Sequence, residues 1–215
     1  MSTPTTAPAL SLEQIDMHYG FVQALSKVDF AVHPGEVVAL LGDNGAGKST
    51  LLKVMSGAHR ATAGSIRVHG EEVQLHAPKD AEAADELATL GVTTAPVSRP
   101  VEMLSGGQRQ VVALARSAVR VSGDQNGILL LDEPTAALGY EQTRQVEELV
   151  LRLAKRGIAI VIVTHNLPLC YEVADRIVVL NRGRKVADVR TAETDNDSVV
   201  GWITGSKAPQ EHLAA

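Results

Sequence analysis

The segment GDNGAGKST, residues 42–50, contains the residue types that bind phosphate. It fits the pattern G-x-x-x-x-G-K-[ST], in which glycines let backbone N–H groups turn inward around phosphate oxygens. Lys48 can reach the β- and γ-phosphates of a nucleoside triphosphate, and the Ser49 hydroxyl can ligate Mg²⁺. An apolar run at 37–41 precedes the loop, and a helical pattern from Leu51 follows it. This strand–loop–helix order predicts a triphosphate site rather than a glycine-rich turn with an incidental lysine.

Two acidic residues end a second apolar strand, within GILLLDEPTAALG. Asp132 is expected at the C-terminal tip of the strand, where its carboxylate can hold Mg²⁺ or a water bound to it. Glu133 comes next and can polarise a water that attacks the γ-phosphate. Two solvated acids at a strand end are common in isolation. The phosphate loop in the same chain favours the catalytic interpretation.

One of the seven histidines, His165, directly follows an apolar strand in IAIVIVTHN. Parallel strands of a doubly wound sheet present their C-terminal ends to the ligand. An imidazole at that position can contact the γ-phosphate and orient the attacking water. We interpret the other histidines as structural: His18, His33, His59, His69, His76 and His212.

The elements that must position these groups are visible as short apolar runs. VVALLG, GILLLD, GIAIVIV and RIVVL are rich in Val, Ile and Leu without alternation, which is typical of strands covered on both faces. Helical spacing occurs between them, and residues 77–91 (APKDAEAADELATLG) are predicted to form a helix with Pro78 in its first turn. This alternation predicts an α/β fold with a mostly parallel sheet flanked by helices. LEQIDMHYG, VDFAVHPGEVVALLG and GSIRVHGEEV predict an additional antiparallel β-layer in the N-terminal part.

Composition narrows the class further. The 215 residues are 45% apolar and 21% charged, as in a globular domain with a substantial core. A net charge of -5 gives no electrostatic basis for a nucleic-acid partner. Cys170 is the only cysteine, so an internal disulfide is excluded and a reducing compartment is expected. No secretory signal and no apolar run of about 18 residues are found, so membrane association is expected to come through another protein.

A third motif, LSGGQ at 104–108, lies between the phosphate loop and the acidic strand. With the loop at 42–49, the strand at 128–133 and His165, it makes the chain resemble the ATP-binding subunits of ABC transporters from about residue 12 to residue 205. The resemblance implies a P-loop NTPase core, ATP and Mg²⁺ as cofactors, and a head-to-tail homodimer or paired cassette with two ATP molecules between the protomers. Other P-loop classes fit less well, since no N-K-x-D guanine motif is present.

The family pattern assigns roles to individual positions. Glu133 and His165 would be catalytic, and Ser49 and Asp132 would hold the metal. Ser105, Gly106 and Gly107 would contact the γ-phosphate held by the other protomer, and Tyr19 would stack on adenine, although a half-buried structural tyrosine is the alternative. The full nucleotide-binding set is Tyr19, Gly42, Asn44, Gly45, Ala46, Gly47, Lys48, Ser49, Thr50, Ser105, Gly106, Gly107 and Gln108.

Within the family, DNGAGKSTL, DEPTAALG, THN and DSVVGWITG resemble the ATPases of monosaccharide importers. That resemblance implies an ATPase subunit that lies on the cytoplasmic face of the membrane through permease subunits. Nucleotide-driven dimerisation would be transmitted to those subunits.

Two departures from the family pattern stand out. The family has a strand near 91–94, a glutamine loop and several dozen residues of helical arm before LSGGQ. Here only APVSRPVEM, residues 95–103, lies between, and the expected glutamine position falls near Val97. The helical subdomain is therefore expected to be strongly reduced, with 95–103 as a short linker. Gly139 also stands where many relatives have aspartate.

These departures leave two functions open. One is a transport-coupled ATPase whose turnover is impaired by the missing arm. The other is an arm-deleted module that binds ATP with little hydrolysis and no coupling. An engineered deletion or an error in the sequence across 95–103 is a third explanation of the gap. The predicted domain spans 9–205, between disordered tails at 1–8 and 206–215.

Overall fold

The computed structural model describes residues 7–73, 87–90, 127–136 and 138–210. Within these ranges the strands are β1 (Leu10–Tyr19), β2 (Val22–Val32), β3 (Val37–Gly42), β4 (Ala63–Val68), β5 (Glu71–Glu72), β6 (Leu87–Leu90), β7 (Ile128–Asp132), β8 (Ala159–Val163), β9 (Arg176–Asn181) and β10 (Arg184–Arg190). The helices are α1 (Lys48–Met55), α2 (Tyr140–Ala154), α3 (Leu167–Val173) and α4 (Asn196–Thr204), and a short 3-10 helix covers Thr191–Glu193. No helix within the described ranges is both long and apolar enough to cross a bilayer.

The central sheet has six strands in the order β10-β9-β3-β8-β7-β6. The pairs β3–β9, β3–β8, β7–β8 and β6–β7 are parallel, and β10 is antiparallel to β9 at the edge. Every residue of β3 and β8 is buried. This confirms the mostly parallel α/β sheet expected from strands without alternation.

Alternate residues of β3 enter two different cores. Val37, Ala39 and Leu41 pack with residues of α2, α3 and α4 on one face of the sheet. Val38 and Leu40 pack on the other face with residues of α1 and of the N-terminal strands. Successive side chains of a strand point to opposite faces, so a continuous apolar run serves both cores.

The second sheet is antiparallel, with the strand order β2-β1-β4-β5. Leu10 pairs with Val32 on β2 and with Val68 on β4. The buried side chains of this antiparallel sheet belong to the same core as those of α1. The predicted N-terminal β-layer is therefore confirmed, and it lies on the α1 side of the central sheet.

The helix predicted over 77–91 is wrong in its last part. Residues Leu87–Leu90 form β6, which pairs in parallel with β7 through Leu87↔Ile128 and Leu90↔Leu131. A short apolar run suits a helix end or a buried strand equally well, and here the ladder with β7 decides. The strand expected near 91–94 and the 95–103 linker fall outside the described residues.

The C-terminal tail predicted to begin at residue 206 is ordered as far as residue 210. The Trp202 Nε1 group donates to the Ala208 carbonyl at 3.1 Å. The Gln210 backbone N–H donates to Val186 O at 3.0 Å, and its Oε1 accepts from the Asp188 backbone N–H at 2.8 Å. The two Gln210 bonds satisfy backbone groups of the edge strand β10, and the Trp202 bond joins the segment to α4, so the segment stays attached.

Candidate functional site

The predicted phosphate loop connects the C-terminal end of β3 to the first turn of α1. Gly47 is the N-cap of α1 and has φ 102°, a conformation that L side chains rarely adopt. A Cβ atom at Gly47 would lie 2.8 Å from Ala24 O and 2.9 Å from Leu25 Cδ2, both on β2. The loop therefore needs glycine here for two reasons, its backbone angle and its contact with the antiparallel layer.

The N-terminus of α1 is open to an anion. No side chain caps it, so the first backbone N–H groups of the helix, including that of Ser49, lack an intrahelical partner. Such a terminus carries a partial positive charge and binds phosphate. Gly42 and Ala46 are buried, Asn44, Gly45 and Ser49 are exposed, and Gly47, Lys48 and Thr50 lie between these extremes. The exposed hydroxyl of Ser49 can thus meet a metal ion from the solvent side.

Lys48 is folded back over the loop. Its Nζ donates to the carbonyl oxygens of Gly42, at 2.8 Å, and of Asp43, at 2.9 Å. The charges of Lys48 and Lys53 oppose the elevation of the Asp132 pKa, and α1, which begins at Lys48, contacts β7, which ends at Asp132. The sheet thus brings the lysine of the loop and the acid of the next motif to one site.

Asp132 ends β7, next to the end of β8, because Asp132 pairs with Val163. Partial burial raises the pKa of its carboxyl group, and the neighbouring charge of Glu133 raises that pKa further. Both effects disfavour the ionised form of the Asp132 carboxyl group. A cation bound beside it would offset them and stabilise that form. This is the electrostatic setting expected of a metal-binding acid.

Glu133 has φ 47°, the left-handed region that non-glycine residues seldom occupy. Its backbone N–H donates to Val163 O at 2.8 Å. Both carboxylate oxygens are bound: His165 Nδ1 donates to Oε1 at 2.8 Å, and Thr164 Oγ1 donates to Oε2 at 3.1 Å. Strained backbones held by surrounding bonds are typical of functional sites.

His165 lies beside Glu133 with its side chain 79% exposed. An ionised carboxylate only accepts hydrogen bonds, so the bond to Glu133 requires the proton on Nδ1. In the neutral ring Nε2 then carries a lone pair and can accept a hydrogen bond from a water. The structure thus brings together Lys48, Asp132, Glu133 and His165, as predicted from their positions at the ends of parallel strands.

Thr164 is the site residue that the sequence analysis missed. It is fully buried, and its hydroxyl donates to Glu133 and accepts from the Asn166 backbone N–H at 3.1 Å. Asn166 in turn caps α3 by accepting from the Leu169 N–H at 3.2 Å. The available signal was a hydroxyl residue placed directly between an apolar strand and His165.

Tyr19 lies at the end of β1, on the hairpin whose second strand contacts Gly47. Its hydroxyl shares a 2.6 Å hydrogen bond with His59 Nδ1, and the two rings meet edge to face with centroids 5.7 Å apart. The residue is 43% exposed, so part of the ring remains available for stacking. Its contact with adenine stays a prediction.

The LSGGQ positions Ser105, Gly106, Gly107 and Gln108 lie outside the described residues. Within the described part of the chain, no group of three His, Cys, Asp or Glu residues surrounds a metal position. Mg²⁺ is usually held by one or two carboxylates together with substrate phosphates and water. Ser49 and Asp132 fit that kind of site, in which the nucleotide supplies the remaining ligands.

Comparison with known proteins identifies relatives that are ATP-binding proteins of import systems. The family profile described as ABC transporter matches residues 25–92 and 76–136. A fructose import ATP-binding protein from Rhizobium meliloti is 34% identical over 97% of this chain and 98% of its own length. A xylose/arabinose import ATP-binding protein from Sulfolobus acidocaldarius is 36% identical over 91% and 93%. The first alignment has 260 positions against a chain of 215 residues, so at least 45 positions of it are gaps in this chain.

Solved structures share the fold. An ATP-binding cassette of an ABC transporter superposes with a TM-score of 0.78 at 21% identity, over 93% of this chain and 98% of that one. A dimeric cassette in a post-hydrolysis state with ADP and Pi superposes with a TM-score of 0.69 at 20% identity, over 85% and 98%. At these identities the likeness describes the fold alone.

Proposed function

The chain belongs to the ABC transporter family, and on this premise we propose that it is the ATP-binding and ATP-hydrolysing subunit of a sugar importer. One observation carries the proposal: the Glu133 carboxylate is held by His165 and Thr164 next to Asp132, whose carboxyl group interacts with both Glu133 and Lys48. The sugar-import descriptions of the relatives support the substrate class.

The residues divide the reaction among themselves. The N–H groups at the start of α1 and the Lys48 ammonium bind the β- and γ-phosphates, releasing Lys48 from the loop carbonyls. Ser49 and Asp132 would hold Mg²⁺, whose charge stabilises the developing charge on the transferred phosphoryl group. Glu133 would orient the attacking water and accept its proton, and His165 would contact the γ-phosphate.

A second protomer, identical or paired, completes the site. Ser105, Gly106, Gly107 and Gln108 of each copy would contact the γ-phosphate bound by the other, with Tyr19 against the adenine. A cassette that is dimeric and bound to ADP and Pi is a solved example of a dimer in this fold. Nucleotide-driven closure of the dimer would move permease subunits, which hold the protein at the cytoplasmic face of the membrane.

A reduced helical arm is part of the proposal. The excess length of the alignment with the fructose import protein and the split family match support a deletion in this chain. Ends of parallel strands carry the phosphate loop and the catalytic acid, so nucleotide binding is independent of the arm. Contact with the permease depends on it, because the arm is the part that reaches the membrane subunits in the family.

The chemical part of the proposal is tested by measuring phosphate release from Mg–ATP by the purified protein, alone and with its permease. Glu133→Gln is the control, because it keeps the shape of the side chain and removes its charge. We expect measurable turnover in the wild type and a loss of at least about 100-fold in the variant, as for a general base. A wild type without turnover, even with the permease, contradicts the proposal.

The short segment 95–103 favours a second candidate, a module that binds ATP without driving transport. Sugar uptake into proteoliposomes that contain the permease and this protein separates the two. ATP-dependent uptake refutes the second candidate. Tight Mg–ATP binding without uptake or turnover supports it.

A further inference from the structure

We propose that Thr164 is a positioning residue, whose buried hydroxyl fixes the direction of the Glu133 carboxylate for attack by water. This inference rests on the proposed function and deepens it. It concerns Thr164, which precedes His165 in THN and to which the sequence assigned no role, and which acts through Glu133 alone.

The direction of the hydrogen bond between Thr164 and Glu133 follows from the number of hydrogens that the threonine hydroxyl can donate. A threonine hydroxyl has one hydrogen to donate and can accept through its lone pairs. The Asn166 N–H already donates to Oγ1 at 3.1 Å, so one acceptor position is used. The hydrogen of the hydroxyl is therefore left for Glu133 Oε2, also at 3.1 Å. The two bonds make the hydroxyl an oriented donor rather than a free rotor.

Burial makes this donor difficult to replace. Thr164 has no exposed surface, so water cannot take the place of its hydroxyl. Threonine is also stiff about χ1, because two heavy atoms branch at its Cβ. It directly follows Val163, the residue that pairs with Asp132 and accepts from the Glu133 N–H. The donor and the carboxylate are thus held by neighbouring strands of one sheet.

His165 and Thr164, the two partners of the Glu133 carboxylate, differ in how freely their side chains can rotate. The His165 side chain is 79% exposed, and that of Glu133 is 31% exposed. His165 can turn towards a bound phosphate and release Oε1. Thr164 cannot turn away, so Oε2 stays anchored while Oε1 becomes available to the attacking water. One oxygen thus sets the orientation and the other performs the chemistry.

The experiment compares Thr164→Val with Thr164→Ser. Valine has nearly the same shape and lacks the hydroxyl, and serine retains the hydroxyl without the methyl group. We expect Thr164→Val to lower kcat for Mg–ATP about 10- to 100-fold, the factor corresponding to one lost hydrogen bond to a charged group. KM is expected to stay within about 3-fold, because Lys48 and α1 still bind the phosphates. Thr164→Ser is expected to retain kcat within about 3-fold.

Each outcome is decisive. An unchanged kcat in Thr164→Val refutes the inference alone, as does an equal loss in Thr164→Ser or a loss that lies entirely in KM. Melting curves recorded without nucleotide exclude unfolded samples, and Thr164→Ala replaces the valine variant if that one does not fold. If neither hydroxyl-free variant folds, the role is structural and the inference is wrong. An inactive wild type refutes the proposed function, and the inference with it.

Discussion

The contact between the phosphate loop and the antiparallel layer predicts a large difference between two glycines of one loop. Gly45 has φ 80° and nothing within 4 Å of a Cβ built on it. Gly47 has φ 102°, and its Cβ would lie 2.8 Å from Ala24 O and 2.9 Å from Leu25 Cδ2. Substitution by alanine thus strains the backbone at both positions and causes a clash only at Gly47.

The magnitudes can be worked out from these distances. A non-glycine residue at such a φ costs of order 1–3 kcal/mol, which applies to both variants. Overpacking in a closed contact costs typically about 1–3 kcal/mol more, and the Ala24 carbonyl belongs to a strand that cannot move without disturbing its pairing with β1. We therefore expect Gly47→Ala to lower the free energy of unfolding by about 1–3 kcal/mol more than Gly45→Ala.

Urea unfolding, monitored by circular dichroism, measures this difference. The two variants can be compared directly if their m-values are equal. Calorimetric titration with Mg–ATP is the second measurement, and Gly47→Ala is expected to bind more weakly because the clash moves the start of α1. Equal midpoints for the two variants would show that the loop does not rest on β2. The account of how the two sheets position the site would then be wrong.

Three further predictions concern groups away from the loop. Arg176→Ala leaves Glu36 without its cation and Asp188 with Lys185 alone, and is expected to lower the free energy of unfolding by about 3–5 kcal/mol in denaturant titration. Burial alone would raise the pKa of Asp188, but the charges of Arg176 and Lys185 outweigh it and lower that pKa below its usual range. Stability from this group is therefore present above the unfolded pKa and lost as the pH falls through the folded pKa, so Asp188→Asn is expected to flatten the acid side of a melting-temperature profile. Burial, and to a smaller extent the charge of Glu133, raises the pKa of Cys170 to about 12. Thiol reagents are therefore expected to modify Cys170 only after unfolding, and mass spectrometry measures this modification. Rapid labelling of the folded protein would contradict the buried position.

Local patterns predicted much of the described architecture. The apolar runs of β3, β7, β8 and β9 were recognisable because strands covered on both faces need no alternation. The residues 87–90 were assigned to the end of a helix instead of β6. Their sequence suits either state, and the parallel pairing with β7 decides between them. Residues 206–210 were assigned to a tail for a related reason, since they are held by tertiary contacts with α4 and with the open edge of β10.

In the candidate site, too, some residues were predictable from local sequence patterns and others depended on tertiary contacts. Spacing along the chain was enough to predict that Lys48, Asp132 and Glu133 belong to one site, because a phosphate loop and a strand-ending acid are local patterns with a known mechanism. The role of Thr164 was not accessible in that way, because its partner lies 31 positions earlier in the chain.

By itself, then, the sequence determined which groups can bind phosphate and metal, which segments are apolar enough to form a covered sheet, and to which family the motifs point. Only the tertiary structure decided that the ends of β7 and β8 meet at Asp132 and Val163, that Thr164 and His165 share one carboxylate, and that Gly47 rests on β2. The physical reason is that local patterns record periodicity and turn chemistry along the chain. Strand register and sheet packing instead bring together groups that are distant in sequence, and hydrogen bonds between such groups depend on distances of a few tenths of an ångström.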